Sequence, residues 1–306
     1  MGQTIRLGTR GSQLALAQSN SIAEKLQNHG HDVSIQILET RGDIAKGSLA
    51  QIGGDGLFTK ELQRALLDDR IDLAVHSLKD LPTDPVSGLT LAAIPSREDA
   101  RDAIALPSSR RIQSLDELPL HSKVGTGSVR RTAQLKRLRP DLVVEPIRGN
   151  VDTRLGKLDR LEFDAIVLAS AGLNRLGLSN RISLPLATDD FLPAVGQGAL
   201  GLEIRSNDSN TLAAVKVLNS KESQVSVFAE RVMLNQLSAG CMAPVGATTK
   251  VVNGKLFLSA RVFTSDGQQC IEATVFDATN SWESLGKTVA EKLLSCGAGE
   301  IIAAFR

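Results

Sequence analysis

Two stretches, "LGTRGSQLALAQ" at residues 7–18 and "VGTGSVRRTAQL" at residues 124–135, decide the fold of this chain. Each one begins like a strand, passes through Gly-Thr, and reaches a serine, Ser12 or Ser128, in front of a helical pattern. Serine before the first turn of a helix is a typical N-cap. Because the same unit occurs twice, the sequence predicts two similar α/β domains, each opening with a strand, a Gly-Thr turn and a helix N-terminus.

Outward from these stretches, strand-like and helical patterns alternate. Strands that alternate with helices form a largely parallel sheet that is covered on both faces, so each domain is expected to be doubly wound. Ligands bind such sheets at the carboxyl ends of the strands, where helix N-termini favour anions. The predicted strands are 4–9, 33–39, 71–77 and 89–95, then 122–128, 142–147 and 163–170; the predicted helices are 12–28 and 57–69, then 128–140, 151–160 and 171–177.

The chain is expected to cross between these two domains twice. The stretch at 187–205 resembles a strand that returns to the first domain, so segments near 96–104 and 188–200 would form a hinge beside an anion-favouring cleft. After residue 220, a long helix, a hairpin at Asn253-Gly254, a third strand and a final helix indicate an antiparallel α+β domain. The predicted domains are 1–98 plus 199–218, 103–192, and 220–306.

Composition excludes several classes of function. The chain has 306 residues, a formal net charge of +1 and 3% aromatic residues, unlike a nucleic-acid binder built on a basic surface and stacked rings. The sequence has no signal-peptide pattern and no apolar run long enough to span a membrane, so we expect a cytoplasmic protein without a membrane partner. Its three cysteines lack Cys-x-x-Cys spacing and its four histidines lack ligand spacing, which argues against disulfides and a metal site.

Arginines concentrate in the second predicted domain. Residues 130–160 contain nine Lys or Arg against four Asp or Glu. The pattern assigns Lys136, Arg137 and Arg139 to a solvated helix face. A guanidinium group pairs with a carboxylate through two hydrogen bonds, so arginines at helix starts and strand ends indicate a ligand with several carboxylates, to which Arg10 would add a contact. The arginines at such positions are Arg130, Arg131, Arg148 and Arg154.

The first predicted domain supplies a candidate acid or base. Its strand at 71–77 runs directly into Lys79 and Asp80. The two residues could form a plain surface ion pair, which contributes little to stability. Alternatively, the cation keeps the carboxylate ionised, which suits a group that stabilises developing positive charge and transfers protons.

One of the three cysteines stands in an unusual context. Cys241 lies in "LSAGCMAPVG", where Gly240 and Pro244 disfavour regular structure and a thiol is more often presented than packed. Buried free cysteine commonly behaves as a small apolar residue, and Cys270 and Cys296 fit that pattern. Cys241 is therefore the candidate reactive thiol.

These residues fall in motifs that closely resemble those of one family, the porphobilinogen deaminases. The motifs follow the family's order over nearly the whole chain, and they are specific jointly although not singly. They are "GTRGSQLA" at 8–15, "TRGD" at 40–43, "GLFTKEL" at 56–62, "VHSLKDLPT" at 75–83, "GTGSVRR" at 125–131, "RGNVDTRLGKL" at 148–158, "LPAVGQGALG" at 192–201 and "GCMAPVG" at 240–246.

The resemblance implies two periplasmic-binding-protein-like α/β domains around a cleft and a C-terminal domain that carries a cysteine. It implies that Cys241 holds a dipyrromethane cofactor through a thioether, and that Asp80 is the catalytic carboxylate, in contact with pyrrole N–H groups. Cofactor-binding positions are matched by Lys79, Ser128, Arg130, Arg131 and Arg148. Substrate-binding or cleft-lining positions are matched by Arg10, Ser12, Arg154, Arg175, Phe58 and Gln197. For Phe58, packing in an amphipathic helix is an equally good explanation.

The implied reaction is the polymerisation of porphobilinogen. Each molecule loses ammonia and is joined to the free α-carbon of the primer's terminal pyrrole, and after four rounds hydrolysis releases linear hydroxymethylbilane. Each unit carries an acetate and a propionate, in agreement with the arginines. We further expect a monomer. One departure from the family is Asp55, which stands where many bacterial relatives carry lysine in a glycine-rich segment that we expect to cover the site as a mobile lid.

Two other functions stay open at this point. A two-domain anion receptor without chemistry would explain the repeated helix N-termini, but neither the third domain nor Cys241. A covalent adduct on the purified protein would decide between receptor and enzyme. A nucleic-acid binder would use the basic region at 130–160 and lose affinity as salt rises, which the net charge of +1 disfavours.

Overall fold

The structure is a computed structural model. The chain is divided into two compact units. The first unit consists of Met1–Glu98 and Ala199–Gln224, and the second of Asp99–Gly198 and Val225–Arg306. None of the described helices is long and apolar enough to cross a membrane. A boundary between a second and a third domain stays a prediction. The structure describes residues 4–38, 57–107, 110–240 and 243–305, without the side chains of 57 and 58.

Several features of the sequence lie outside the described residues. They include Cys241, Asp55, the motif at 40–43 and the side chain of Phe58. The predictions made for these residues therefore stay predictions.

The first unit is built on a five-stranded sheet with the strand order β2-β1-β3-β10-β4. Strand β10 runs antiparallel to both of its neighbours, whereas β1 is parallel to β2 and β3. The strands are β1 (Ile5–Thr9), β2 (Val33–Ile37), β3 (Leu73–Ser77), β4 (Leu89–Ala93) and β10 (Leu200–Arg205), and the helices α1 (Gln13–Asn28), α2 (Leu57–Leu67) and α6 (Ser209–Lys216).

The second unit contains a five-stranded sheet of the same kind, with the order β7-β6-β8-β5-β9. Here β5 is the strand that runs antiparallel to its neighbours, and β6 is parallel to β7 and β8. The strands are β5 (Asp102–Ala105), β6 (Lys123–Gly125), β7 (Val143–Glu145), β8 (Ala165–Ala169) and β9 (Leu184–Pro185), and the helices α3 (Val129–Leu138), α4 (Val151–Asp159) and α5 (Ser170–Arg175).

The C-terminal part of the second unit is a three-stranded antiparallel sheet with helices packed on it. Asn253 and Gly254 have φ values of 49° and 73°, the left-handed conformations that a two-residue hairpin turn requires, and the predicted hairpin is confirmed. The strands are β11 (Val245–Val252), β12 (Lys255–Phe263) and β13 (Cys270–Ala278), and the helices α7 (Lys221–Gln236), α8 (Trp282–Ser295) and α9 (Ala298–Ala303).

The predicted fold class is confirmed by these sheets. Both α/β sheets are largely parallel with one reversed strand, and the C-terminal sheet is antiparallel. The predicted return strand at 187–205 is shorter in the structure, because regular pairing begins only at Leu200. Pro193 cannot donate to a sheet, and Gly196 and Gly198 adopt positive φ values of 70° and 83°. Helices α6 and α9 were not predicted.

The repeated strand-turn-helix unit is also confirmed. Ser12 Oγ accepts a hydrogen bond from the Ala15 amide at 3.3 Å, and Ser128 Oγ accepts one from the Arg131 amide at 3.4 Å. Both serines are therefore N-caps. Gly8 of the first Gly-Thr turn is needed for packing as well, since a Cβ there would collide with the side chain of Ile71.

Candidate active site

In the first unit, four predicted site residues follow two neighbouring parallel strands. Strands β1 and β3 are paired, so the residues after them lie at one edge of the sheet. Gln18 of α1 donates a hydrogen bond to Ser77 Oγ at 2.9 Å, which ties α1 to the end of β3. The structure thus brings together Arg10, Ser12, Lys79 and Asp80 at this edge.

Asp80 is an exposed residue in a single helical turn, Leu78–Asp80, directly after β3. It forms no ion pair with any residue in the part of the chain that the structure describes, its half-buried neighbour Lys79 included. A plain surface ion pair between the two is therefore not the reason for this placement. The carboxylate is open to a ligand.

In the second unit, a buried carboxylate organises two of the predicted arginines. Asp102 of β5 is 0% exposed, while Arg130 and Arg131 are 4% and 6% exposed. Arg130 Nη1 lies 2.7 Å from Asp102 Oδ2, and Arg131 Nη2 and Nε lie 2.7 and 3.0 Å from Oδ1. Gln197 Nε2 donates to the same Oδ1 at 2.9 Å. We call Asp102, Arg130, Arg131 and Gln197 the Asp102 cluster.

Arg130 keeps donors that no neighbour uses. Its Nη1 donates to both Asp102 and the Leu192 carbonyl, but Nε and Nη2 donate to no residue in the described part of the chain. Arg130 is 4% exposed, but these two nitrogen atoms are not fully enclosed, so a ligand can reach them. The unused N–H groups are therefore suited to an acceptor that a ligand supplies.

Charge in this region is unbalanced in favour of cations. Burial raises the pKa of Asp102, but the charges of Arg130 and Arg131 outweigh burial and hold the pKa far below its ordinary range. Burial lowers the pKa of Arg154, and repulsion from Arg131 lowers it further. Since guanidinium groups remain protonated at neutral pH, three cations accompany one carboxylate. Such a site favours an anionic ligand.

Ser128 lies at the N-terminus of α3, beside these arginines in sequence. It is half-buried and lines a cavity of about 440 Å³ together with Thr126, Gly127 and Lys136. The hydroxyl is engaged as the cap of α3. It can still donate its proton to an anion in the cavity, because capping uses only an acceptor site of the oxygen.

The remaining arginines occupy different environments. Arg148 is exposed after β7, and Arg154 of α4 is half-buried and donates through Nε to the Gly149 carbonyl at 2.7 Å. Arg175 of α5 donates to the Gly198 carbonyl at 2.6 Å. The structure thus places Arg154 near the Asp102 cluster and Arg175 against the segment that carries Gln197, whereas Arg148 stays at the surface.

The segment at 192–198 connects the Asp102 cluster to the C-terminal part. At its start, the Leu192 carbonyl accepts from Arg130. Further along, the Pro193 carbonyl accepts from the Ala247 amide of β11 at 2.9 Å, and the Gly196 amide donates to the buried Glu230 carboxylate of α7 at 2.8 Å. Strand β11 begins shortly after Cys241 in sequence, so the strand that follows the candidate thiol is fixed relative to the cluster.

Two predictions about individual residues are wrong. Arg139, assigned to a solvated face, is 9% exposed, because it pairs with Asp141 and donates to the Leu115 and Leu118 carbonyls. Cys296, interpreted as packed, is exposed at the C-cap of α8. Both lie at the ends of helices, where the apolar periodicity that supports such predictions stops.

Asp102 was not singled out from the sequence. It stands at the head of "DAIALP", and a carboxylate that opens an otherwise apolar buried strand is the signal that could have pointed to it. Its partners are distant in sequence, and only the fold brings them together.

The fold and this site define an α/β protein with two largely parallel five-stranded sheets and a buried cluster of arginines suited to an anionic ligand. Comparison with known families shows to which family of this class the chain belongs. Residues 5–213 match "Porphobilinogen deaminase, dipyromethane cofactor binding domain", and residues 225–295 match "Porphobilinogen deaminase, C-terminal domain". The chain belongs to the porphobilinogen deaminase family. It accordingly has hydroxymethylbilane synthase activity: it is a transferase of tetrapyrrole biosynthesis that polymerises porphobilinogen and uses a dipyrromethane cofactor.

Solved structures that the chain resembles include several binding proteins. A periplasmic binding protein of Salmonella typhimurium with high arginine specificity is 12% identical, over 73% of this chain and 94% of that one, with a TM-score of 0.40. A periplasmic substrate-binding protein from Coxiella burnetii is 15% identical over 72% and 94%, with a TM-score of 0.43. The ligand-binding component of an import system from Staphylococcus aureus is 14% identical over 76% and 77%, with a TM-score of 0.43.

Proposed function

We propose that this chain joins four porphobilinogen molecules head to tail on a dipyrromethane primer anchored at Cys241, and releases linear hydroxymethylbilane. Family membership supports the reaction in general. The observation that carries the finer proposal is the excess of buried cationic groups around Asp102. The monomeric state and the cytoplasmic location stay predictions from the sequence.

The arginines of the second unit are proposed to bind carboxylates. Every pyrrole unit of substrate or primer carries two carboxylate side chains, and bidentate guanidinium pairing recognises them. Arg130 has unused donors beyond the one that pairs with Asp102, and burial and repulsion lower the pKa of Arg154, which forms no ion pair among the described residues. A ligand carboxylate near these groups would relieve the repulsion. The residues present therefore fit a polycarboxylate pyrrole.

Asp80 is proposed to be the catalytic carboxylate. Its exposed oxygen atoms can accept hydrogen bonds from pyrrole N–H groups and stabilise the positive charge that develops on a ring nitrogen when ammonia leaves. After the new carbon–carbon bond has formed, the same carboxylate can take up the proton that the ring carbon releases. Lys79, Arg10 and Ser12 lie at the same sheet edge and are proposed to orient the acidic side chains of the ligand.

The cofactor, when bound, supplies a pyrrole carbon nucleophile on which the chain of rings grows. Cys241 is proposed to hold it, since a thioether fixes one end of the primer while the other end stays free. The segment at 192–198 would keep that anchor in register with the arginines, because β11 and α7 are both hydrogen-bonded to it. Gln197 and Phe58 stay predicted ligand-binding positions, and Arg148 and Arg175 predicted carboxylate-binding positions.

Replacing an arginine near the cluster tests this proposal. We expect Arg154→Leu to raise KM for porphobilinogen roughly tenfold or more, or to lower the fraction of protein that carries the cofactor, because a charge-assisted bond to a carboxylate is lost. Arg160→Leu is the matched control, since Arg160 caps the same helix and is largely exposed beside Glu162. Unchanged KM and cofactor content in Arg154→Leu would contradict the carboxylate-binding role.

A further inference from the structure

The carboxylate of Asp102 is not accessible to a ligand. Oδ1 accepts three hydrogen bonds, two from Arg131 and one from Gln197, and Oδ2 accepts one from Arg130. A carboxylate offers about two lone-pair positions on each oxygen, so Oδ1 is fully used and Oδ2 keeps one position. Asp102 is also 0% exposed. It can therefore neither transfer a proton to a substrate nor bind one, and its effect must pass through the arginines.

A second site in the first unit also holds a buried aspartate between two arginines, but there two further carboxylates, those of Asp69 and Asp208, pair with the arginines. Asp72 is 5% exposed and lies between Arg6 and Arg205, at 2.7 Å from each. Arg205 donates hydrogen bonds from both Nη atoms to acceptors within the chain, and Arg6 does so from Nε, Nη1 and Nη2. Among the described residues, Arg205 Nε is thus the one donor atom of these two arginines without an acceptor.

Fewer of the donors at Asp102 are satisfied in this way. Arg130 is 4% exposed, and its Nε and Nη2 find no acceptor in the described residues. Arg131, in contrast, donates from Nε and Nη2 to Asp102 and from Nη1 to the Val167 carbonyl at 3.0 Å. These bonds fix the side chain of Arg131 and leave one edge of the Arg130 guanidinium unused. The two guanidinium groups carry two positive charges, and the single carboxylate of Asp102 neutralises only one of them.

We propose that Asp102 is a positioning residue that holds Arg130 and Arg131 so that the pair presents one net positive charge and the free edge of Arg130 to a single ligand carboxylate. This inference rests on the proposed function. It assigns the cluster one carboxylate of a pyrrole ligand, although the cluster contains two arginines. The second guanidinium acts indirectly, by fixing Asp102.

Cofactor content gives a test that does not depend on turnover. Wild type, Asp102→Asn and Asp72→Asn are purified as apoprotein and incubated with porphobilinogen, and the fraction with cofactor mass is measured on the intact protein. We expect Asp102→Asn to load roughly tenfold less than wild type, because a carbonyl and an amide replace four charge-assisted acceptor contacts. Asp72→Asn should lose stability but load within about twofold of wild type.

A double variant separates positioning from simple loss of structure. If Asp102 acts through the arginines, the loss of loading in Asp102→Asn with Arg131→Gln is smaller than the product of the two single losses. The double variant also restores the net charge of +1 that Arg130, Arg131 and Asp102 carry in wild type, whereas Asp102→Asn raises it to +2, so the double variant stays measurable if Asp102→Asn fails to fold. Losses that multiply, or an Asp102→Asn protein that loads like wild type, would overturn the inference while leaving the proposed function intact. No added mass on wild type would overturn the proposed function and the inference together.

Discussion

Gln134 and Leu192 are joined by two hydrogen bonds that run in opposite directions. The Leu192 amide donates to Gln134 Oε1 at 2.7 Å, and Gln134 Nε2 donates to the Leu192 carbonyl at 3.0 Å. Gln134 is 1% exposed, and its side-chain amide pairs with the backbone N–H and C=O of Leu192 in the way that a residue of a neighbouring strand does. The pair fixes α3, which carries Arg130 and Arg131, to the segment at 192–198.

Gln134→Met should lower the free energy of unfolding by about 1 to 3 kcal/mol, because the Leu192 amide is left buried without an acceptor. The Leu192 carbonyl keeps Arg130 as a donor, which limits the loss. Chemical denaturation measures the effect. Gln27→Met, at an exposed position of α1, is the matched control and should change stability by less than about 0.5 kcal/mol. Equal effects of the two substitutions would mean that the Leu192 contact contributes nothing.

Asp72 predicts a pH-dependent contribution to stability. Burial raises its pKa, but hydrogen bonds from Arg6 and Arg205 prevail and lower the pKa from 3.8 to about 2. The folded state thus favours the ionised form, so the contribution is fully present above about pH 5 and is lost as pH falls through 4 towards 2. Relative to wild type, Asp72→Asn should lose about 2 kcal/mol at pH 7 and progressively less below pH 4. A penalty that stays constant down to pH 2.5 would contradict this.

Asp80→Asn should retain the cofactor and still turn over roughly 10² to 10⁴ times more slowly, because a positioned acid or base is lost while the arginines remain. Steady-state kinetics together with intact mass separates the two effects. Asp68→Asn, at a half-exposed carboxylate of the same unit, is the control and should keep wild-type turnover. An Asp80→Asn enzyme within about threefold of wild type would remove Asp80 from the mechanism.

Elements with local signals could be predicted from the sequence. The N-caps Ser12 and Ser128 and the hairpin at Asn253-Gly254 follow from side-chain and backbone preferences that act over a few residues, and all three are confirmed. The order of the strands in each sheet could not be predicted in detail. The reversed strands β5 and β10 pair with segments distant in sequence, and no local pattern encodes that choice.

In the candidate site, too, features with a local sequence signal could be predicted, whereas contacts between residues distant in sequence could not. The sequence placed Arg130 and Arg131 at a helix start, but it could not show that both guanidinium groups are buried against Asp102. Arg139 shows the converse error, since nothing local indicates that the Leu115 and Leu118 carbonyls come within reach. Partners of charged groups are set by tertiary packing, which periodicity alone does not report.

A pyrrole primer bound covalently to Cys241 is the feature on which the proposed function depends most, and intact mass spectrometry tests for it directly. We predict that the native protein is heavier than its sequence by one two-pyrrole unit, and that Cys241→Ser has the mass of the bare chain and no turnover. Cys296→Ser, at an exposed thiol, is the control and should keep both the extra mass and activity. A fully active native protein with the unmodified mass, or a Cys241→Ser protein that keeps the added mass, would contradict the account.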